Sequence, residues 1–281
     1  MKEKAEHILT FILIILILPC AMTLLLGGRM KEIYRTIKNE TDYILLKTNG
    51  GTLELELEEY VIGAAAAQIP LGYDLEAVKA QMVAVRTNLC RQIQQDGEVT
   101  AEKYMTMEEL ERAGAAEKFL RAQRATRGQI LTWEDEPVLA SFHAVSAGST
   151  RDGAQVFQSE EYPYLVSRTC PSDEDAPGAI SVIEIDSSWS GMEIAERDSA
   201  GYVLQIKMQG EVMSGEEFRS LLGLPSSAFD IQVQNGVFLT VRGIGHGLGM
   251  SQYTAQQMAL TGKSYTEILG YFYPGTQLTE Y

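Results

Sequence analysis

The chain has 281 residues, and 45% of them are apolar, so it can bury a sizeable core as one large domain or two small ones. This composition argues against disorder as the main state. The formal net charge is −15 at pH 7, which repels polyanions and excludes DNA and RNA as partners.

The N-terminal segment predicts a membrane anchor. Residues 8–26 are apolar apart from two threonines and one cysteine, and about 20 such residues match the thickness of a bilayer. A cleavable signal peptide would have a shorter apolar stretch and a small-residue cleavage site, so we expect an uncleaved signal anchor over residues 8–27. Residues 1–7 precede it, and a charged tether, residues 28–50, follows it. Lys and Arg flank both sides of the anchor, so their counts leave its orientation open.

The predicted domain, residues 51–281, begins with a strand and two helices. Leu and Glu alternate in TLELELE, residues 52–58, which predicts a half-buried strand. Residues 60–68 are alanine-rich and lie just before a proline, which predicts a short helix that the proline ends. Apolar residues at spacings of three and four then predict a helix over residues 75–94, with Asp74 as its N-cap and the apolar stripe in the core.

Turn and capping patterns predict the elements that follow. Thr106 and Glu109 form a capping-box sequence, which predicts a helix that runs to about Arg124. The segments QILTW and VLASFH flank the turn residues 134–137, a pattern typical of a β-hairpin. The Asn-Gly pair at residues 235–236, between IQVQ and VFLTV, predicts another hairpin through a type I′ turn.

The remaining elements complete a mixed architecture. We expect strands at residues 180–185 and 202–208 and helices at residues 214–223, 251–261 and 265–271. This order lacks the regular βαβ alternation of a doubly wound sheet. The sequence therefore predicts an α+β fold, with mixed helices and antiparallel β-hairpins in one domain, preceded by a single transmembrane helix.

A glycine-rich segment, RGIGHGLGMSQ at residues 242–252, follows a predicted strand and leads into a predicted helix. Its four glycines let a ligand or another stretch of backbone approach the chain closely. The spacing matches neither the GxGxxG dinucleotide pattern nor the GxxxxGK phosphate-binding loop. Two interpretations stay open, a binding loop and a tight turn that packs the last helices against the sheet.

Two long motifs resemble the signatures of the stage II sporulation protein D (LytB-type) family. These are EEYVIGAAAAQIP, continued by LEAVKAQMVAVRTN, and RGIGHGLGMSQ. The segments ATRGQILTW, FHAVSAGST, YPYLVS and SGEEFRSLLGL also resemble family segments, so the similarity runs from about residue 53 to the C-terminus. The resemblance implies a lytic transglycosylase that cleaves the bond between N-acetylmuramic acid and N-acetylglucosamine in peptidoglycan during engulfment. It also implies that the domain is extracytoplasmic and that residues 1–7 are cytoplasmic.

The resemblance also implies a set of site residues. The reaction needs a carboxylic acid to protonate the leaving glycosidic oxygen. The family's motif has glutamate at this position, whereas this chain has Gln68. Lys79 and Arg86 on the following helix are candidate contacts to the sugar or to the residue at position 68. The further candidates for substrate binding are His143, Ser146, Arg242, Gly245, His246, Ser251 and Gln252.

Each of these candidates has a structural alternative. Gln68 would equally cap the end of its helix, and an isolated Lys or Arg on a helix is most often a solvated surface residue. His143 is also typical of a hydrogen-bonded strand residue. Ser146 and Ser251 have no adjacent base in the sequence, so nothing further indicates a serine hydrolase.

Cysteines and histidines indicate neither a metal site nor a cofactor. The first cysteine, Cys20, lies in the apolar run, and the domain itself offers Cys90, Cys170, His143 and His246. No two of these lie close enough in sequence to nucleate a zinc site. A disulfide bond between the two domain cysteines stays open, and we expect no metal and no cofactor.

Two function classes follow from the resemblance. The first is an enzyme that cleaves glycan strands, and the second is a non-catalytic module that binds peptidoglycan or modifies an amidase partner. Gln68 discriminates between them, because a carboxamide cannot carry the proton that cleavage requires. We expect a sporulation-associated, membrane-anchored peptidoglycan protein whose catalytic competence depends on this position.

Overall fold

A computed structural model of the protein describes residues 43–48, 51–96, 99–100 and 104–281. The predicted signal anchor, residues 8–27, and most of the predicted tether lie outside the described residues. Within the described ranges, no helix combines the length and the apolar character that crossing a membrane requires.

Helices and mostly antiparallel strands occur in mixed order, which confirms the α+β class. The strands are β1 (Tyr43–Thr48), β2 (Gly51–Glu56), β3 (Val99–Thr100), β4 (Gln129–Trp133), β5 (Glu136–Pro137), β6 (Phe142–His143), β7 (Ile180–Ile185), β8 (Met192–Arg197), β9 (Val203–Met208), β10 (Glu211–Ser214), β11 (Ala228–Val233), β12 (Val237–Arg242), β13 (Met250–Ser251) and β14 (Gln277–Glu280). The helices are α1 (Leu57–Gln68), α2 (Leu75–Asp96), α3 (Met107–Arg112), α4 (Ala116–Thr126), α5 (Gly153–Phe157), α6 (Gly215–Leu222), α7 (Gln252–Leu260) and α8 (Tyr265–Phe272).

Helix α2 is the centre of what we call the helical body, which consists of α1, α2, α4, α7, α8 and β4. One side of α2 packs against α1 and α4 through buried residues such as Val78 and Met82. Another side packs against β4, α7 and α8 through residues such as Ala80 and Val83. The apolar stripe predicted from the sequence forms the side that packs against α1 and α4. Small residues form the side that packs against β4, α7 and α8.

Strand pairing begins before the predicted start of the domain. Strand β1 pairs with β2 antiparallel, from Tyr43 opposite Glu56 to Thr48 opposite Gly51. Residues 43–48 are therefore a strand, although they were expected to belong to the tether. Helix α1 already starts at Leu57, within the segment whose alternation predicted β2. It ends just before the proline, as predicted, because proline cannot continue a helix.

The capping box at Thr106 and Glu109 is confirmed, but the helix that it starts is short. The Thr106 hydroxyl accepts from the Glu109 backbone N–H, and the Glu109 carboxylate accepts from the Thr106 backbone N–H. Helix α3 nevertheless ends at Arg112, and Gly114 then has a φ of +70°. Glycine adopts this left-handed conformation without strain and often ends a helix. The prediction of one helix up to Arg124 was therefore wrong, and α3 and α4 take its place.

Strand β4 pairs with β5 and β14 rather than with the length of the VLASFH segment. Glu134 and Asp135 form the predicted turn, both with positive φ, but β5 has only two residues. The longer partner, β14, comes from the other end of the domain. Strand β6, within VLASFH, pairs in parallel with β13 instead. The hairpin prediction was right for the turn and wrong for the extent of its second strand.

Residues 180–242 form what we call the β-rich region. Strands β7, β12 and β11 form one antiparallel sheet, and β8, β9 and β10 form another. Their shared core includes Phe218 from α6, Phe229 from β11 and Leu239 from β12. Aromatic rings pack against each other in this core, with the Phe218 and Phe229 ring centroids 5.3 Å apart.

Local patterns in the β-rich region are confirmed. Ser214 and Glu217 form the capping box of α6, and Gly223 ends that helix in a left-handed conformation. The Asn-Gly hairpin also forms, with β11 and β12 as its strands. Its connection takes three residues, 234–236, because Val233 pairs with Val237. The hairpin prediction was therefore right, but the two-residue type I′ turn was wrong.

A buried arginine, Arg151, joins the β-rich region to the glycine-rich segment. Arg151 Nε donates to Asp198 Oδ2 at 2.6 Å, and its Nη1 donates to Glu216 Oε1 at 2.9 Å. The same Nη1 donates to the backbone carbonyl of His246 at 3.3 Å. The guanidinium lies 5.0 Å from the ring centroid of Tyr202. These contacts, which we call the junction, hold the β-rich region against the glycine-rich segment.

Candidate functional site

An open cleft of about 680 Å³ lies where the C-terminal end of α1, α2 and the segment around β6 meet. Its lining residues are Ala67, Gln68, Asn88, Ser141, Phe142, His143, Ala144, His246 and Gln252. None of these described lining residues is an aspartate, glutamate, lysine or arginine. The structure thus brings together four residues that the sequence analysis selected, Gln68, His143, His246 and Gln252.

Gln252 connects the two sequence signatures at the cleft. Its Nε2 donates to the backbone carbonyl of Gln68 at 2.8 Å and to Oε1 of Gln81 at 3.1 Å. Gln68 is the last residue of α1, and Gln252 is the first residue of α7. The hydrogen bond satisfies one of the carbonyls that a helix leaves without an intrahelical partner at its C-terminal end.

Asn88 holds the cleft wall in place. Its Nδ2 donates to the Ala140 carbonyl at 2.9 Å, and its Oδ1 accepts from the Ala140 backbone N–H at 2.9 Å. This pair of bonds fixes the start of the segment that carries Ser141 to His143. The sequence analysis did not select Asn88, although it ends the motif LEAVKAQMVAVRTN. The motif pointed to this helix, but nothing in the motif distinguished Asn88 from the other polar residues.

His143 presents an unprotonated nitrogen next to the cleft. The side chain is only 4% exposed, and its Nδ1 lies 3.0 Å from the Leu248 carbonyl oxygen, which assigns the proton to Nδ1. Nε2 has no hydrogen-bond partner among the described residues. Burial and, to a smaller extent, the nearby His246 lower the pKa of His143 to about 3. The imidazole is therefore neutral near pH 7.

Leu248, whose carbonyl accepts from His143, also orients His246. The Leu248 backbone N–H donates to His246 Nδ1 at 3.1 Å, while the Leu248 carbonyl accepts from His143. A hydrogen bond to the Phe142 backbone also engages the ring of His246. Burial is the main cause that lowers the pKa of His246. The two ring centroids lie 5.7 Å apart, so one residue of the glycine-rich segment fixes both imidazoles.

The glycine-rich segment packs tightly against the cleft wall. Gly245 has a φ of +112°, and a Cβ on it would lie 2.7 Å from the Cβ of His143. Gly249 has a φ of +67°, and a Cβ on it would collide with the Ser141 carbonyl. Both positions need glycine for conformation and for space. Of the two interpretations of this segment, close packing of backbone accounts for these glycines.

Ser146 and Ser251 both bind a buried carboxylate rather than the cleft. Asp173 Oδ2 accepts from the Ser146 backbone N–H at 2.6 Å and from Ser251 Oγ at 2.7 Å. Asp173 Oδ1 accepts from Thr254 Oγ1 at 2.6 Å. Asp173 thereby anchors the start of α7 to the segment after β6. No sequence pattern indicated it.

The three basic candidates lie away from the cleft lining. Arg86 is fully buried and forms a two-pronged ion pair with Glu58, with both N···O distances at 2.8 Å. Lys79 pairs with Glu76 on its own helix at 2.5 Å. Arg242 is exposed and pairs with Asp230 on the neighbouring strand at 2.6 Å.

Three carboxylates that lie close to Gln68 in the sequence form hydrogen bonds within the fold. Glu58 accepts from Arg86, and these bonds hold its pKa below the usual range although burial opposes them. Asp74 Oδ1 accepts from the Glu76 backbone N–H at 2.9 Å, which confirms the predicted N-cap of α2. Glu76 Oε2 accepts from the Tyr265 backbone N–H at 2.8 Å. None of the three lines the cleft.

Cys90 and Cys170 are both buried, and they form no disulfide bond with each other. Burial raises the pKa of the Cys170 thiol to about 11, so it is protonated at neutral pH. In the part of the chain that the structure describes, no three His, Cys, Asp or Glu side chains are grouped so that they could hold a metal ion.

Comparison with known proteins defines the family. A family model described as stage II sporulation protein matches residues 48–133. The chain is 32% identical to stage II sporulation protein D of Bacillus subtilis over 265 residues, which cover 83% of this chain and 77% of that protein. Its identity to the stage II sporulation protein D of Bacillus amyloliquefaciens is 31%, with the same coverage. The chain belongs to the stage II sporulation protein D family.

A more distant similarity points to a second kind of relative. The amidase enhancer of Bacillus subtilis is 23% identical over an alignment of length 287, and the alignment covers 78% of this chain but only 40% of that protein. The family thus shares part of its sequence with a protein named for an effect on an amidase.

Proposed function

We propose that this sporulation protein binds peptidoglycan glycan strands in the cleft and cleaves them weakly or not at all. The observation that carries the proposal is the position of Gln68 in the lining of the cleft. By the resemblance, the family's motif has glutamate at this position. A glutamine keeps the length and the hydrogen-bonding oxygen of glutamate, so a sugar binds in the same pose. It cannot protonate the leaving glycosidic oxygen.

Other groups in the cleft do not replace the missing acid. A general acid must hold a proton near neutral pH and lie within hydrogen-bond reach of the leaving oxygen. The described residues that line the cleft include no carboxyl group, and His143 is neutral because its pKa is about 3. Proton transfer typically contributes about 10² to 10⁴-fold in rate. We therefore expect binding with little turnover.

Restoring the acid tests this proposal. We expect Gln68→Glu to raise the release of anhydro-muramic products by about 100-fold or more. The substrate is purified glycan strands with their stem peptides removed, and the products are separated by chromatography. The matched control is Gln95→Glu, which adds the same charge at an exposed position of α2. Robust cleavage by the wild type that survives Gln68→Ala would contradict the proposal.

An amidase-modifying role is the second candidate function. It is supported by the similarity to the amidase enhancer. In this role the cleft holds a glycan strand while a partner amidase removes stem peptides. A reconstitution with a peptidoglycan amidase tests it, since amide-bond cleavage on intact peptidoglycan should rise when the protein is added. An unchanged rate across a range of protein concentrations would reject this candidate.

We further propose that residues 8–27 anchor the protein in the membrane with the domain on the extracytoplasmic side. The apolar character of this segment supports the proposal, and a glycan-binding domain has its substrate outside the cytoplasm. Protease added to intact protoplasts should remove the domain. A cytoplasmic protein of the same cells is the control, and full protection of both would contradict the proposal.

A further inference from the structure

In the described chain, the two sheets of the β-rich region have four edge strands, and three of them are protected. Strand β10 has only four residues, and the capping box of α6 takes the backbone N–H of Ser214 at its end. Strand β8 has register shifts against β9 between Ile194 and Arg197. Along β11, Arg197 donates to the Phe229 carbonyl, and the Ser227 carbonyl just before the strand accepts from a backbone N–H of β9. Short length, bulges and covering groups keep a sheet edge from pairing with another chain.

Strand β7 is the fourth edge, and it has none of these protections among the described residues. Its sequence, ISVIEI at residues 180–185, contains no proline and no lysine, and its pairing with β12 has no register shift. Val182 is 66% exposed and Ile180 is 58% exposed, and Val182 is the most exposed large apolar side chain of the described residues. An open, regular and apolar edge strand is a surface on which another strand can pair.

The backbone groups that face the open edge of β7 follow from the ladder with β12. Just outside the strand, the Gly243 N–H donates to the Ala179 carbonyl at 2.7 Å, in the same register as the pairs within the strand. Hydrogen-bonded pairs alternate along an antiparallel ladder, so the odd-numbered residues of β7 bond to β12. The N–H and C=O groups of Ile180, Val182 and Glu184 therefore point away from β12. No described residue forms a hydrogen bond with these outward groups.

We propose that two copies of the protein pair antiparallel through β7, about a twofold axis at Val182. In this register Val182 lies opposite itself, and Ile180 lies opposite Glu184 of the second copy. Each outward N–H and C=O group then has a partner, which gives about six hydrogen bonds. The three-stranded sheets of the two copies become one continuous sheet. The same strand serves on both sides, as a twofold dimer requires.

The charges on this face of the sheet fit a second copy in this orientation. Arg242 lies opposite Ile180 on β12 and is nearly half exposed. Neighbouring strands lie about 4.8 Å apart, so Glu184 of the second copy is two strands, or about 10 Å, from Arg242. Extended Arg and Glu side chains meet across this distance above Ile180, and the guanidinium has donors beyond the one that binds Asp230. Parallel pairing would instead bring two Glu184 side chains together, which destabilises a sheet.

Disulfide trapping tests the register. Because position 182 lies opposite itself, oxidation of full-length Val182→Cys protein should give at least about fivefold more covalent dimer than oxidation of Val212→Cys. Val212 is the matched control, since it is 54% exposed and lies on β10, another edge strand. The wild type gives the background from Cys20, Cys90 and Cys170. A yield no higher than that of Val212→Cys would overturn the proposal.

Sedimentation of the full-length protein in a nonionic detergent tests pairing without a covalent bond. At about 0.15 M salt the Debye length is about 8 Å, which largely screens the repulsion between two chains of charge −15. We expect a concentration-dependent dimer for the wild type and for Val212→Lys. Val182→Lys should stay monomeric, because two ammonium groups would meet at the axis.

Three results would contradict pairing through β7. They are a wild type that is monomeric at every concentration, a dimer that Val182→Lys leaves unchanged, and disulfide trapping of Val182→Cys in intact cells to a different protein alone. The proposed glycan binding is tested separately, because no residue of β7 lines the cleft.

Discussion

The buried polar groups of the junction all have hydrogen-bond partners, whereas one buried nitrogen at the cleft has none among the described residues. At the junction, Arg151 and Asp198 are almost completely buried, and Arg151 donates to two carboxylates and a carbonyl. Asp198 also accepts from the backbone N–H groups of Ala200 and Tyr202. At the cleft, by contrast, His143 Nε2 has no partner among the described residues.

The difference is between a buried charged network with complete hydrogen bonding and a buried nitrogen without a partner among the described residues. A buried acceptor without a partner costs about 1 to 3 kcal/mol of stability, so a fold carries few of them without a compensating function. A buried ion pair with complete hydrogen bonding instead penalises any rearrangement, because either partner left alone is an uncompensated charge. The junction therefore resists rearrangement, whereas the unpaired Nε2 of His143 beside the cleft costs stability.

The largest expected effect is at the junction. We expect Arg151→Met to reduce the free energy of unfolding by about 3 to 5 kcal/mol, because Asp198 would remain buried without its cation. Urea unfolding followed by tryptophan fluorescence measures this loss.

Arg242→Met is the matched control for that experiment. Its ion pair with Asp230 is nearly half exposed on both sides, and exposed pairs contribute about 0 to 1 kcal/mol. Similar losses in the two variants would show that the junction does not differ from an ordinary surface ion pair.

At the cleft, we expect a smaller effect on the free energy of unfolding, and this effect depends on pH. The folded pKa of His143 is about 3, below its unfolded value of 6.5, so the unfolded chain takes up a proton first as the pH falls. This histidine therefore stabilises the fold fully above pH 6.5 and progressively less down to about pH 3. Between pH 6.5 and 4.5 its contribution falls by about 2 kcal/mol.

His143→Asn tests this contribution, because asparagine can still donate to the Leu248 carbonyl but does not titrate. The free energy of unfolding of the variant should fall less between pH 6.5 and 4.5 than that of the wild type, by about 2 kcal/mol. Carboxylates titrate alike in both proteins. Identical pH dependence would mean that His143 is protonated as easily in the folded protein as in the unfolded chain.

The smallest expected effect should be equal in the two parts of the molecule. Thr106→Ala and Ser214→Ala each remove a capping box, one beside the helical body and one in the β-rich region. We expect a loss of about 1 kcal/mol in each case, because a helix cap acts locally. Thermal unfolding measures both. A loss several times larger in one variant would show that the two parts differ in general stability and not only in their buried polar groups.

Local signals in the sequence predicted local structure. The capping boxes of α3 and α6, the Asp74 cap and the Asn-Gly hairpin each depend on a few neighbouring residues, and all are present. The family resemblance also selected Gln68, His143, His246 and Gln252, which line one cleft. Their roles toward a glycan stay predictions.

Long-range partners could not be predicted in the same way. Strand β4 pairs with β14 across nearly the whole domain, and the alternation of its residues does not specify which strand lies beside it. The basic candidate Arg86 lies on the expected helix, but its partner Glu58 comes from a distant part of the chain. Burial of Arg86 depends on Glu58, and no spacing rule connects residues that distant.

The hydrogen bond from Gln252 to Gln68 joins residues that are 184 positions apart. A ribosome releases α1 and α2 long before it adds the segment that closes the cleft. Contacts of such sequence separation form late, because the intervening loop must first lose its entropy. The cleft is therefore assembled late. A nascent chain that stops before residue 243 lacks His246 and Gln252, so unfinished molecules lack the complete cleft.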